Sequence, residues 1–66
     1  MKPTIGRIVH YHYEPGKPRA AIVTQVASET RVRLAVFTPG ATAYDDVMAE
    51  YSGDGLAKTW RWPPRD

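Results

Sequence analysis

The two tryptophans of the chain, Trp60 and Trp62, are the residues whose type and spacing most suggest a site. Successive side chains of an extended strand point to opposite faces, so both indoles face the same way. Lys58 falls on that face and Arg61 on the other. Two adjacent indoles either fill a core or offer a platform for bases, and each stacked base contributes about 1–3 kcal/mol. We expect one indole in the core and the other partly exposed.

The two histidines, His10 and His12, also lie two positions apart on one strand face. A same-face pair can bind zinc, but a zinc site needs a third or fourth ligand. The chain has no cysteine, so Asp45 or Asp46 would have to complete the set. We therefore expect no metal and no cofactor, with one histidine hydrogen-bonded at the edge of the core and the other solvated. In a further interpretation, the histidines contact a ligand beside neighbouring tyrosines.

Arginines at strand positions are the candidates for binding phosphate. Arg31 and Arg33 share one face of a predicted strand, and guanidinium groups bind phosphate through paired hydrogen bonds. The alternative is a solvated strand face whose charges oppose aggregation. Asp45 and Asp46 point to opposite sides of a strand, so we expect them to pair with arginines and not to form an acid–base catalytic pair.

The candidate ligand-binding residues combine aromatic rings near both ends of the chain with basic side chains. The rings would stack on a base, and the cations would neutralise phosphate. These candidates are Arg7, His10, Tyr11, Tyr13, Arg31, Arg33, Lys58, Trp60, Arg61 and Trp62. The sequence contains no phosphate-cradling loop, dinucleotide fingerprint or nucleophile elbow, and so short a chain has little volume for a water-excluding pocket. We therefore predict a binding protein and not an enzyme.

Five short strands must position these residues. Runs rich in β-branched and aromatic residues, separated by turn residues, cover 6–13, 19–27, 31–38, 43–51 and 57–62. The fourth run would also fit a short helix, and we favour a strand. Alternation is clearest in the third run, where Val32, Leu34 and Val36 point inward. The pattern predicts an all-β fold, a small five-stranded SH3-like barrel, with an OB-like arrangement or a small sandwich as alternatives.

Length and composition limit the chain to a single domain over residues 1–66. A core this small leaves little net stability, and no cysteine is present to supplement it with a disulfide. We therefore expect a homo-oligomer. The sequence has no leader-like apolar region and no apolar run of membrane-spanning length, so we expect a cytoplasmic protein without a membrane partner.

Charge is unevenly distributed along the chain, whose net charge is +2. Basic residues occupy the first half and the end, whereas acidic residues cluster between them, at positions 45, 46, 50 and 54. If the two ends meet in the fold, a basic and aromatic face would stand opposite an acidic one. This distribution favours an anionic partner.

The opening GRIVHY (6–11), the strand AAIVTQV (20–26) and the closing TWRWP (59–63) resemble a group of short bacteriophage and prophage proteins. That group usually has Gly before the Thr-Trp pair, where this chain has Lys58. Its members are mostly uncharacterised, so the resemblance implies a phage origin and a small β-fold but no activity. Phages also use tiny proteins to sequester nucleotide immune signals, an analogy of size and origin only.

These observations favour a non-enzymatic protein that holds an anionic, nucleotide-like ligand on an aromatic and basic surface. A role in sequestering a host immune nucleotide is an expectation by analogy of size and origin, and the resemblance itself does not imply it. The alternatives are an SH3-like module that binds single-stranded nucleic acid or a protein, and a small structural interaction protein of the virion.

Overall fold

Strands form in all five runs that the alternation predicts, in a computed structural model that describes residues 2–64. They are β1 (Ile8–Glu14), β2 (Lys17–Val26), β3 (Arg31–Phe37), β4 (Tyr44–Tyr51) and β5 (Thr59–Arg61). The run over residues 43–51, which would also fit a short helix, forms strand β4, as we favoured. Residues 2–64 contain no helix, and therefore none long and apolar enough to cross a membrane. The all-β prediction is confirmed.

The strands close into a barrel in the order β1-β2-β3-β4-β5. The first four pair antiparallel with their neighbours in sequence, since short turns connect them. Strand β5 closes the barrel by pairing antiparallel with β1 and parallel with β4, with Trp60 opposite both Tyr11 and Tyr51. The predicted five-stranded barrel is confirmed, and its strand order is consistent with an SH3-like arrangement.

The core is built from one face of every strand. Strand β3 contributes Val32, Leu34 and Val36 at alternate positions, as its pattern predicts, and all three are almost completely buried. The complete buried cluster is Val9, Tyr11, Ala21, Val23, Val32, Leu34, Val36, Ala49 and Trp60. Burying one large apolar side chain contributes about 1.5–3 kcal/mol, so this cluster is the main source of stability.

The turn between β1 and β2 is shorter than the five residues that its composition suggests. Pro15 and Gly16 alone separate the strands, and Gly16 takes the positive φ (75°) that such a tight turn needs. Pro18 consequently lies within β2, opposite His12. The register shifts between His12 and Glu14, which marks a bulge at this end of the sheet.

Strand β5 begins two residues later than predicted, and this changes the position of Lys58. That residue has a φ of 61° in the loop between β4 and β5, where its backbone N–H donates to the His12 carbonyl (2.6 Å). The prediction that Lys58 shares a face with the tryptophans is therefore wrong. Face alternation holds only while the backbone is extended, and here the chain is still turning.

Acidic and basic side chains do not form opposite faces, which corrects the expectation from their order in the chain. Strands β3 and β4 are neighbours, so the Arg33 guanidinium lies 3.3 Å from the Asp46 carboxylate and Arg31 lies 3.8 Å from Glu50. The expected pairing of Asp46 with an arginine is confirmed. Charges far apart in sequence thus neutralise each other on one outer surface.

Candidate functional site

A cleft containing both tryptophans lies where β3 begins and where β4 and β5 end. Its volume is about 510 Å³, which is within the usual range for small-molecule sites. We call it the aromatic cleft. It is lined by Lys2, Glu29, Thr30, Tyr51, Trp60 and Trp62.

Trp60 forms the fixed inner wall of the aromatic cleft. It is 1% exposed, and its indole N–H donates to the Thr30 carbonyl oxygen at 2.9 Å. The same oxygen accepts from the Tyr51 backbone N–H at 2.9 Å, so one carbonyl ties β5 to β4. Trp62 is only half-buried. The expectation of one core indole and one partly exposed indole is confirmed.

Tyr51 and Trp62 are the rings of the cleft that a ligand can reach. Each packs edge-to-face on Trp60, with ring centroids 5.1 Å and 5.3 Å from it and interplanar angles of 72° and 85°. Tyr51 is 44% exposed. Neither Tyr51 nor Lys2 is among the sequence-predicted site residues. Alternation places Tyr51 on the core face of β4, and only the parallel pairing of β4 with β5 brings it to Trp60.

The charges at the aromatic cleft are one cation and one anion. The Lys2 ammonium lies 3.2 Å from the Glu29 carboxylate, and both side chains are largely exposed. An exposed ion pair of this kind contributes only about 0–1 kcal/mol. Lys2 is therefore available to an anionic ligand at little cost.

The predicted basic residues of β3 lie elsewhere. Arg31 and Arg33 face outward and are paired with acidic residues of β4. Arg31 and Lys58 meet at a second, smaller cavity of about 160 Å³, which Met48, Ala49 and Glu50 complete. The predicted aromatic and basic platform is therefore divided between two places.

The tyrosines of β1 do not line the aromatic cleft. Tyr11 is part of the core, and burial raises the pKa of its phenol. Tyr13 is half-buried beneath Arg19, whose guanidinium carbon lies 3.7 Å from the ring centroid and whose Nη1 donates to Thr38. Arg7 is exposed on the segment that leads into β1. These residues stabilise the barrel or lie outside the aromatic cleft.

His10, His12 and Arg61 come together on the outer side of β1 and β5, where His10 pairs directly with Arg61. His12 is 1% exposed because the loop over residues 52–58 covers it, whereas His10 is half-buried. Burial lowers the pKa of His12, and the positive charges of Arg61 and His10 lower it further. The expectation of one hydrogen-bonded and one solvated histidine is wrong, since neither ring is fully solvated and Nδ1 of both is buried without a hydrogen-bond partner within residues 2–64.

Histidine, aspartate and glutamate side chains of residues 2–64 do not gather in any group of three or more that could hold a metal ion. No family model, curated protein or solved structure matches the chain.

Proposed function

We propose that the protein is a non-enzymatic binding protein whose aromatic cleft holds the planar base of a small nucleotide. The observation that carries this proposal is the pair of accessible rings, Tyr51 and Trp62, beside a cleft of about 510 Å³. Aromatic side chains stack on any base because every base has a π-face, and each contact contributes about 1–3 kcal/mol.

The cleft rings are held in place before any ligand arrives. Trp60 packs against both Tyr51 and Trp62 and is itself fixed by its hydrogen bond to Thr30. A ligand that meets rings already oriented does not have to order them, which lowers the entropic cost of binding.

Charge favours a compact nucleotide over a nucleic-acid strand. Lys2 is the cation that lines the cleft, and its exposed partner Glu29 is easily displaced by phosphate. A strand needs a series of cations along its backbone. The two arginines of β3 do not form such a series with Lys2, because they face outward and are neutralised by β4.

The biological role proposed for this binding rests on an analogy, of size and origin only, with tiny phage proteins that sequester nucleotide immune signals. Under this proposal the protein acts in the cytoplasm of a bacterial host and retains a nucleotide immune signal stoichiometrically, without turnover. Binding is then saturable, and its effect scales with the amount of protein.

The test is a thermal-shift screen of the purified protein with cyclic mono- and dinucleotides, ADP-ribose derivatives and a short single-stranded oligonucleotide. A ligand that binds the folded state raises the Tm, by RT ln(1 + [L]/Kd) in free energy. We expect one small nucleotide to raise it and Trp62→Ala to weaken that binding by about tenfold or more. The matched control is Tyr44→Ala, which removes an exposed ring outside the cleft and should leave the Kd unchanged.

Three results would contradict the proposal in different ways. A rise with the oligonucleotide alone, abolished by salt, would indicate a nucleic-acid-binding module. An unchanged Tm with every ligand would favour the alternatives in which the chain binds another protein, as an SH3-like module or as a structural protein of the virion. Folded Trp62→Ala with wild-type affinity would show that the ligand binds away from the aromatic cleft.

A further inference from the structure

The outer surface of the barrel carries large apolar side chains at positions that usually face water. Ile8 is 62% exposed, Tyr44 60% and Phe37 42%. Single exposed apolar residues are common on soluble proteins, but a contiguous group of them marks an interaction surface.

Strand register brings these side chains together. Ile8 lies directly opposite Ile22 on β2, and Ile22 lies directly opposite Ala35 on β3, so the three form a row across three strands. Phe37 is two residues beyond Ala35 and therefore on the same face. It pairs with Tyr44 of β4, and their ring centroids are 6.3 Å apart. We call Ile8, Ile22, Phe37 and Tyr44 the outer apolar patch; Ile22 is half-buried, and Ala35 in the same row is buried.

The outer apolar patch lies on the face of a closed barrel. At the centre of the patch the backbone is paired on both sides, since Ile22 lies between Ile8 and Ala35 on the neighbouring strands. An extended peptide therefore cannot add a strand at this point of the barrel. A partner has to pack flat against the side chains of the patch.

Opposite charges border the patch at the same edge. Asp46 lies directly opposite Ala35, and Arg33 precedes Ala35 by two residues and reaches Asp46 at 3.3 Å. The edge therefore carries one charge of each sign. Both side chains are about half exposed, so each can exchange its partner within the chain for the opposite charge of a second copy turned by a twofold rotation.

We propose that the outer apolar patch is the interface of a homodimer. A second copy offers an equally apolar surface and the complementary pair of charges. Burying the patch adds apolar area to a core that a chain of 66 residues cannot enlarge by itself. This interface is distinct from the aromatic cleft, with which it shares no residue.

The test is sedimentation velocity of the wild-type protein over a wide range of concentration. We expect a species of twice the 7.4 kDa mass of one chain. Phe37→Glu and Ile8→Glu should each raise the Kd of the dimer by about tenfold or more, because each places a charge in the apolar interface. The matched control is Leu56→Glu, at a residue that is also exposed (57%) but lies in the loop between β4 and β5. That variant should dimerise like the wild type.

A charge exchange tests the twofold arrangement. Arg33→Asp and Asp46→Arg should each weaken self-association, because each leaves like charges at the interface. Mixing the two variants should restore a dimer, which the Arg33–Asp46 pair within one chain cannot do. A wild-type protein that stays monomeric at every concentration would overturn the proposal. So would a dimer that survives Phe37→Glu and Ile8→Glu, or one that Leu56→Glu dissociates equally. Two patch variants are used because, if Phe37→Glu unfolds, a folded Ile8→Glu still tests whether the patch is the dimer interface.

Discussion

Lys58 has a backbone conformation that is strained for any residue with a Cβ. Its φ is 61°, in the left-handed region, where a residue with a Cβ is about 1–2 kcal/mol less stable than in its usual conformations. The conformation is imposed by the fold, because the Lys58 N–H must reach the His12 carbonyl just before β5 begins.

Replacing Lys58 with Gly should therefore stabilise the protein. The relief of about 1–2 kcal/mol is partly offset by about 0.5–1 kcal/mol of extra unfolded-state entropy, so we expect a gain of about 0.5–1 kcal/mol. Urea denaturation measures the free energy of unfolding. Lys58→Ala is the control, since it removes the charge and keeps the Cβ. If both variants gain equally, the side chain and not the backbone is the source of the effect.

At the scale of elements, the loop over residues 52–58 is the segment that covers the outer side of β1 at His12. The Gly55 carbonyl accepts from the Gly16 N–H at 3.4 Å, and the Lys58 N–H donates to His12. These bonds attach the loop to β1 and to the turn that follows it. The loop covers the His12 ring, so its conformation and the burial of that histidine depend on each other.

Gly55→Ala should disrupt this loop. Gly55 has a φ of 69°, and a Cβ added there would lie 3.3 Å from His12 Nε2, within a buried contact. Strain and crowding together should lower the free energy of unfolding by about 1–3 kcal/mol. The control in the same loop is Gly53→Ala, whose Cβ would meet only the end of the Tyr51 side chain at 3.4 Å. We expect the control to change stability by less than about 0.5 kcal/mol. Equal losses in both variants would show that the loop tolerates a Cβ at neither position.

At the scale of the whole molecule, the buried His12 links stability to pH. Burial lowers the pKa of this residue in the folded state, and Arg61 and His10 lower it further. In the unfolded chain the histidine keeps its ordinary pKa of about 6.5, so as the pH falls the unfolded chain takes up a proton before the folded chain does. The contribution of His12 to the free energy of unfolding is therefore fully present above about pH 6.5 and is lost as the pH falls below it.

Chemical denaturation between about pH 5.5 and 7.5 should show this loss, in a range where ordinary carboxylates stay ionised. One proton accounts for a slope of at most about 1.4 kcal/mol per pH unit. His12→Phe keeps a ring in the site and should remove most of the slope, while His10→Gln should retain most of it. An unchanged slope in His12→Phe would show that another group causes the acid sensitivity.

The sequence by itself determined the strands and the core. Alternation is a local property, because each side chain's face follows from its place along an extended backbone. It therefore predicted the inward positions of β3 and the strand form of β4. It also indicated that only one tryptophan would be fully buried. It failed at Lys58, where the backbone is not extended.

The tertiary structure alone decided which side chains meet. The parallel pairing of β4 with β5 brought Tyr51 to the tryptophans, and the N-terminal segment brought Lys2. Arg31 and Arg33 lie on the outward face of β3, where they pair with acidic residues of β4 and do not line the aromatic cleft. Alternation specifies a face of one strand, whereas a site depends on which strands pair, in what register, and on which loops cover them. Those relations come from the closure of the barrel, which depends on contacts between residues far apart in the chain.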